Sequence, residues 1–187
     1  MRLIFKKFNS IKSTNDKAIQ LIKNNQTKPS IIMANSQKKG KGTRGKTWIS
    51  KKGNIFLSIY FEIKLKKNYI KDLTYINSHI VKNCLQKFTL KKIDIKLPND
   101  LMIQKKKICG ILQEIIEHKN KKYLVVGIGI NSLVPILNKK FKATYLQKVS
   151  KNKIKNIVVI KNIKKTYEKF ISDITRYRFL NLKKIYQ

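Results

Sequence analysis

The segment GKGTRGKT, Gly40 to Thr47, matches two phosphate-binding patterns by letter, Gly-x-x-x-x-Gly-Lys-Thr and Gly-x-Gly-x-x-Gly. The residues just after it constrain the fold more than the loop itself. Both patterns need a helix opening directly after the loop, because free helix amides hold the phosphates. Here the chain continues WISKKGNIFLSIYF. Trp48, Ile49, Ile55, Phe56, Ile59, Tyr60 and Phe61 favour strands, and Gly53-Asn54 signals a turn. No amphipathic helix starts there, and NSQKK separates Gly40 from the apolar run SIIMA before it. That context argues against a P-loop or dinucleotide-binding unit, and against the doubly wound parallel sheet that carries one.

The remaining segments place helices among hairpins without one-for-one alternation. Residues 2–8 read as an edge strand. Ser13, Thr14 or Asn15 then caps a helix that gathers Ala18, Ile19 and Ile22 on one face, and Pro29 ends that region. SIIMA reads as a short strand, and WIS with IFLSIYFEI as a hairpin through KKGN. Residues 69–88 form a long amphipathic helix through Ile70, Leu73, Ile76, Ile80 and Leu85. IDIKL is a strand that Pro98 stops; LMIQKKKICGILQEIIE is a hairpin turning at Gln104–Lys106; KKYLVVGIGINSL is a buried strand. A variable loop and a Lys-rich helix from about Asn152 to Tyr177 complete the order. The expected fold class is α+β: a mixed, largely antiparallel sheet with helices packed on one face. The 187 residues are expected to form one domain, with 148–187 as a C-terminal helical segment.

A net charge of +35 points toward nucleic acid, but the composition behind it does not. Of 44 basic residues 40 are Lys and 4 are Arg, beside 30 Ile and 17 Asn, all with AT-rich codons except Arg. The lysines spread along the whole chain, and arginine, the residue suited to bidentate recognition, is nearly absent. Genome bias accounts for this better than a selected surface; a basic nucleic-acid-binding protein stays as the non-enzyme alternative. No run approaches the roughly 18 apolar residues of a membrane span, and Lys6 and Lys7 interrupt the N-terminal apolar patch. Cys84 and Cys109 are isolated thiols, which fits a reduced, cytoplasmic protein, and His79 and His118 form no metal constellation.

Five segments, in order from about residue 8 to 147, resemble the biotin–protein ligases. STN at Ser13–Asn15 is similar to their opening motif, and Q-x-x-G-K-G-T-R-G-K-x-W-x-S from Gln37 to Ser50 to their biotin loop. KLPNDLMIQKKKICGILQE, Lys96 to Glu114, resembles their Lys-Trp-Pro-Asn-Asp segment and the following Lys-x-x-Gly-Ile-Leu. VVGIGIN, Val125 to Asn131, and ATYL at 143–146 match two later motifs. The resemblance implies the class II synthetase-like catalytic fold shared with lipoate–protein ligases, whose own Gly-rich signature has no match here. It implies an ATP-dependent, AMP-forming enzyme with ATP, biotin and Mg²⁺. The biotin carboxylate attacks the α-phosphate to give biotinyl-5′-AMP, and a lysine of the biotin carboxyl carrier protein of acetyl-CoA carboxylase takes the acyl group. A lipoate–protein ligase-like acyl-adenylating enzyme is the alternative within the fold. Neither a membrane nor specific DNA is expected as partner, and a monomer or weak homodimer is.

The same resemblance implies residue roles. Lys107 is the central catalytic residue, touching both biotin carboxylate and α-phosphate, with Arg44 beside it. Biotin falls to Ser13, Thr14, Asn15, Gln37, Gly40, Lys41, Gly42, Thr43, Lys107 and Gly110. The nucleotide falls to Arg44, Lys46, Trp48, Lys96, Asn99, Asp100 and Asn131, with Asp100 the contact to Mg²⁺. These types suit a reaction that needs positioning and charge neutralisation rather than a protein nucleophile. Ser13–Asn15 either bind the ureido ring or simply cap a helix; Trp48 either braces the loop or packs in the core. Gly110 and Gly129 either clear space for ligand rings or ease strand packing. Lys105 and Lys106 read as turn lysines. The chain departs from the family at Lys41, Thr43 and Lys46, where arginines are usual, and at Leu97, where the family has Trp. It is expected to be a catalytic domain alone, lacking the N-terminal helix-turn-helix and C-terminal small β-barrel of other members.

Overall fold

A computed structural model describes residues 1–64, 69–136, 142–176 and 184–186 of the chain. Two strands set its centre. β3 (Ile55–Ile63) and β7 (Lys121–Ile130) pair antiparallel from Ile55↔Ile130 to Ile63↔Lys122. Both are rich in β-branched and aromatic residues and buried on both faces, as interior strands covered from two sides must be.

Around them lie β1 (Ile4–Ile11), β2 (Ser30–Gln37), β4 (Asp94–Lys96), β5 (Asp100–Ile103) and β6 (Lys106–His118). The spatial order is β1-β2-β3-β7-β6-β5-β4, with β1∥β2 parallel and every other pair antiparallel. Two tight turns fix register. Gln104 and Lys105 (φ 49° and 61°) join β5 to β6, and Lys119 and Asn120 (φ 48° and 59°) join β6 to β7. Positive φ at both central residues matches the right-handed strand twist.

α1 (Thr14–Lys23) begins where Ser13 caps it, its Oγ accepting from Asp16 N at 3.4 Å. Its buried Ala18, Leu21 and Ile22 pack on Ile32, Tyr60, Tyr123 and Val125. The longer helices α2 (Ile70–Gln86) and α4 (Asn156–Arg176) share the main core with Leu57, Ile59 and Phe61 of β3, which alternate with Ser58 and Tyr60. A short α3 (Leu146–Val149) precedes α4. Tyr167 of α4 donates to Asn77 Oδ1 of α2 at 2.9 Å, and Asn77 Nδ2 donates to Gln113 of β6 at 2.8 Å, so these three side chains satisfy one another between the two helices and the sheet.

The mixed, largely antiparallel sheet with its two long helices on one face follows the expected α+β class. α1 crosses the other face, a placement that the largely apolar β3 did not announce. The WIS hairpin does not form. Residues 48–51 carry no strand, because Trp48 N donates to Gly40 O (2.9 Å) and its indole lies over the sheet instead. Residues 137–141 of the variable loop and Tyr177, the expected end of the last helix, lie outside the described residues.

Candidate active site

Beside α1 the sheet is almost bare. Ser58 of β3 pairs with Gly127 of β7, and Gly129 of β7 pairs with Gly110 of β6. A cleft of about 1050 Å³ opens over the three glycines. Other groups rest directly on their backbone. A Cβ at Gly127 would lie 2.3 Å from Asn15 Oδ1, one at Gly129 2.4 Å from Trp48 Cε2, and one at Gly110 2.6 Å from Trp48 Cζ3. The chain's own indole lies over Gly110 and Gly129. That indole Nε1 is buried with no hydrogen-bond partner among the described residues.

One wall is a continuous hydrogen-bonded chain. Gln37 Oε1 accepts from Thr14 N (2.7 Å) and Thr14 Oγ1 (3.1 Å), while its Nε2 donates to Ser50 Oγ at 3.0 Å. Ser58 Oγ lies 2.8 Å from Thr14 Oγ1 and 2.5 Å from Asn15 Oδ1. Asn15 Nδ2 donates to Glu114 Oε2 at 2.6 Å, so a hydroxyl on one side and a carboxylate on the other fix how the Asn15 amide points. Ser58 and Glu114 were missed by the sequence reading. Their only signal is one hydroxyl and one acid inside strands otherwise rich in Ile, Leu and Phe.

The opposite wall is cationic. Lys107 Nζ lies 2.7 Å from Asp100 Oδ1 and 5.2 Å from the Trp48 ring centroid. The backbone of β6 holds this lysine firmly: Lys107 N donates to Lys142 O, and Thr144 N donates to Lys107 O, each at 2.9 Å. Asn131 Nδ2 also reaches Lys107 O at 3.3 Å. Asn99 Nδ2 donates to Ile111 O at 2.7 Å, anchoring the turn before β5. Burial pushes the Cys109 thiol well above its ordinary value, although Lys107 nearby opposes the shift, so this sulfur stays a protonated core group.

The Gly40–Thr47 loop folds back on itself. Lys41 and Thr47 form an antiparallel bridge, and Gly42 N donates to Lys46 O at 2.6 Å. Lys41 Nζ bonds Asp16 in the first turn of α1, and this hydrogen bond, against the cost of burial, raises the Lys41 pKa. Ser13, Thr14, Asn15, Gln37, Lys41, Gly42 and Thr43 line the cleft. So do Lys46, Trp48, Lys96, Asn99, Asp100, Lys107, Gly110 and Asn131. Gly40 and Arg44 do not line it. Gly40 is buried beneath the loop against Trp48 O, Gln37 and Ser50, and Arg44 sits exposed on the outer turn at φ 55°, ψ 43°. Lys105 lines the cleft as well as shaping its turn.

Fold and site define a mixed-sheet protein with a cleft over one face of the sheet, ringed by cations. The chain belongs to the Biotin/lipoate A/B protein ligase family, whose model matches residues 7–131. It is 30% identical over 185 residues to the bifunctional ligase/repressor BirA of Bacillus spizizenii, covering 95% of this chain and 56% of that one. The chain thus spans about half the length of the curated relatives it matches. The biotin protein ligase of Aquifex aeolicus in complex with biotin and ATP is similar at 26% identity and TM-score 0.76, over 90% of this chain and 70% of that one. The Leishmania major biotin protein ligase in complex with biotinyl-5-AMP, 21% identical, shares the fold at TM-score 0.79 over 99% of this chain and 79% of that one.

Proposed function

We propose that this chain is an ATP-dependent biotin–protein ligase. It activates biotin as biotinyl-5′-AMP and passes the acyl group to a lysine of the biotin carboxyl carrier protein of acetyl-CoA carboxylase. The observation that carries the reading is the placement of Lys107, mid-cleft between Asp100 and the indole of Trp48, in a member of this family. The relatives of known structure include ligases in complex with biotin and ATP or with biotinyl-5-AMP, which supports both substrates.

In this reading the biotin carboxylate oxygen attacks the α-phosphorus and pyrophosphate leaves. Two anions must approach, and at about 4 Å their repulsion is roughly 4 kcal/mol in a partly screened site. The Lys107 ammonium offsets it by sitting between them, with Lys46 and Lys96 on the phosphate side. Ser13, Thr14, Asn15 and Gln37 present hydroxyl and amide groups to the ureido ring, pre-oriented by Ser58 and Glu114. Arg44 reaches the nucleotide only if its outer turn folds inward over the cleft. In the second step the acceptor amine attacks the acyl carbon and AMP leaves.

The donor set fits a magnesium ion carried by the nucleotide. Lys107 engages Oδ1 of Asp100, so Oδ2 is the oxygen such an ion would take. Among the described residues no three His, Cys, Asp or Glu side chains gather, which matches an ion that draws its other ligands from phosphate and water. When bound it would neutralise the leaving pyrophosphate. Cys84 and Cys109 are both buried and free, in keeping with a cytoplasmic enzyme. No described helix is long and apolar enough to cross a membrane.

The test is biotin-dependent pyrophosphate exchange with ATP. Lys107→Ala is expected to lower it by roughly 10²-fold or more, the cost of losing one positioned charge donor. Full activity in that variant would overturn the assignment, and exchange with lipoate but not biotin would move the substrate.

A further inference from the structure

The Gly40–Thr47 loop meets the rest of the protein at few points. Its stem is fixed by backbone bonds, Lys38 N to Ile11 O at 2.9 Å and Lys39 N to Lys12 O at 2.8 Å, and by Gln37 Nε2 donating to Ser50 Oγ at 3.0 Å. Beyond the stem its backbone bonds are internal: Lys41 bridges Thr47, and Gly42 N donates to Lys46 O. Among the described residues, one side chain from Lys41 to Thr47 hydrogen-bonds or ion-pairs outside the loop. It is Lys41, through its ammonium to Asp16. The pair is partly sheltered, with 44% of the Lys41 side chain and 25% of the Asp16 side chain open to solvent. Glu114, which holds the Asn15 amide, adds a longer-range attraction on the same ammonium. Asp16 follows Asn15 in the first turn of α1, so the contact pins the loop beside the Ser13–Asn15 wall. A surface cation is commonplace in a chain with 44 Lys and Arg, but a carboxylate set to meet it is one of only 9 acids.

We propose that Asp16 is a positioning residue for adenylation: acting through Lys41, it holds the base of the loop at the cleft before any ligand arrives. The role in adenylation rests on the proposed function; the hold on the loop does not. A loop already in place spares the ligand the cost of closing it, so apparent affinity follows the closed fraction. A partly exposed ion pair contributes modestly and is screened by salt. The expected effect is therefore about threefold to fivefold at low ionic strength and smaller at roughly 1 M salt.

The scarcity of arginine makes the test simple. Arg2, Arg176 and Arg178 lie near the ends of the chain, so an arginine-specific protease has one interior site, Arg44 on the exposed outer turn. Cutting there tracks how often the loop lifts away. It is followed on the ligand-free full chain for wild type, Asp16→Asn, Lys41→Met and the double variant, with urea midpoints read beside it. Each single variant should be cut about threefold faster or more at low salt, and the double variant no faster than either alone. Asp16→Glu, which keeps the carboxylate, should be cut near the wild-type rate. In biotin-dependent pyrophosphate exchange, Asp16→Asn should raise the biotin KM by a similar factor while kcat stays within about twofold. Wild-type cutting of Asp16→Asn, or an unchanged biotin KM, overturns the proposal. So does an equal acceleration by Asp16→Asn in the Lys41→Met background, which marks a lost anion at the helix N-terminus rather than a lost ion pair. Absence of exchange in every chain sinks the ligase reading instead, and the protease rates still decide the hold on the loop.

Discussion

Gly127→Ala is a small change with a large expected effect. The added methyl would stand 2.3 Å from Asn15 Oδ1, 2.9 Å from its Cγ and 3.1 Å from its Nδ2. The amide must retreat by about 1 Å to reach ordinary contact distance, and its surroundings resist that. Ser58 holds its oxygen at 2.5 Å and Glu114 its nitrogen at 2.6 Å, so the retreat breaks one neutral and one charge-assisted hydrogen bond. Overpacking of this kind costs about 1–3 kcal/mol, and a lost charge-assisted bond about 1.5–3 kcal/mol. The chain relaxes partly, so a net loss of roughly 2–4 kcal/mol is expected as a lower urea midpoint. The KM for biotin should rise as well, because the displaced amide belongs to the ligand wall. Asn15→Ala removes the obstacle, so the double variant Gly127→Ala/Asn15→Ala should lose less stability than the two single losses added together. Strict additivity, or a Gly127→Ala midpoint equal to wild type, would refute the idea that this glycine exists to seat Asn15.

Three more outcomes are expected from the same geometry. Thr43→Arg restores a cation on a cleft-lining position and should slow release of the acyl-adenylate, read by rapid filtration; equal release rates would refute it. Glu168 accepts from Leu3 N at 2.8 Å and bonds Lys164; burial alone would raise its pKa, but these partners together hold it below its ordinary 4.5. Its stabilisation is therefore present above pH 4.5 and lost as pH falls through the lower folded value. Glu168→Gln should cost about 1 kcal/mol at pH 7 and flatten the acid-side decline in urea midpoints measured across pH 3 to 7. Burial raises the thiols of Cys84 and Cys109, so neither should react with a thiol reagent at pH 8 until the chain is unfolded in urea.

Much of the architecture is written locally. Ser13 announces the start of α1, the QKK turn announces the β5–β6 hairpin, and the stripe Leu73, Ile76, Ile80 announces α2. Most of the cleft is legible too, because its loop, Lys107 and Asn131 lie in motifs that remain contiguous in sequence. What stayed hidden depends on strand pairing. Ser58 meets Asn15 across 43 residues and Glu114 meets it across 99, contacts that exist only once β3, β7 and β6 lie side by side. The place of α1 was hidden for a related reason: in IFLSIYFEI both faces are apolar, so alternation marks neither as the one a helix covers. Trp48 misled because its β propensity is real, but its strongest available surface is a glycine strip more than sixty residues away.

That strip has a consequence for affinity. Gly110 and Gly129 leave a ribbon of peptide backbone without side chains, and the indole of Trp48 lies against it in this conformation. Any ligand ring seeking the same surface competes with a tethered rival. Its apparent dissociation constant is then the intrinsic one divided by the fraction of molecules in which the indole has swung aside. If one molecule in about ten is open, occupancy costs roughly 1.4 kcal/mol before any ligand contact is counted. Selectivity at this site is thus set partly by a residue's rotamer populations, and a substitution that merely loosens Trp48 can tighten binding without touching the ligand.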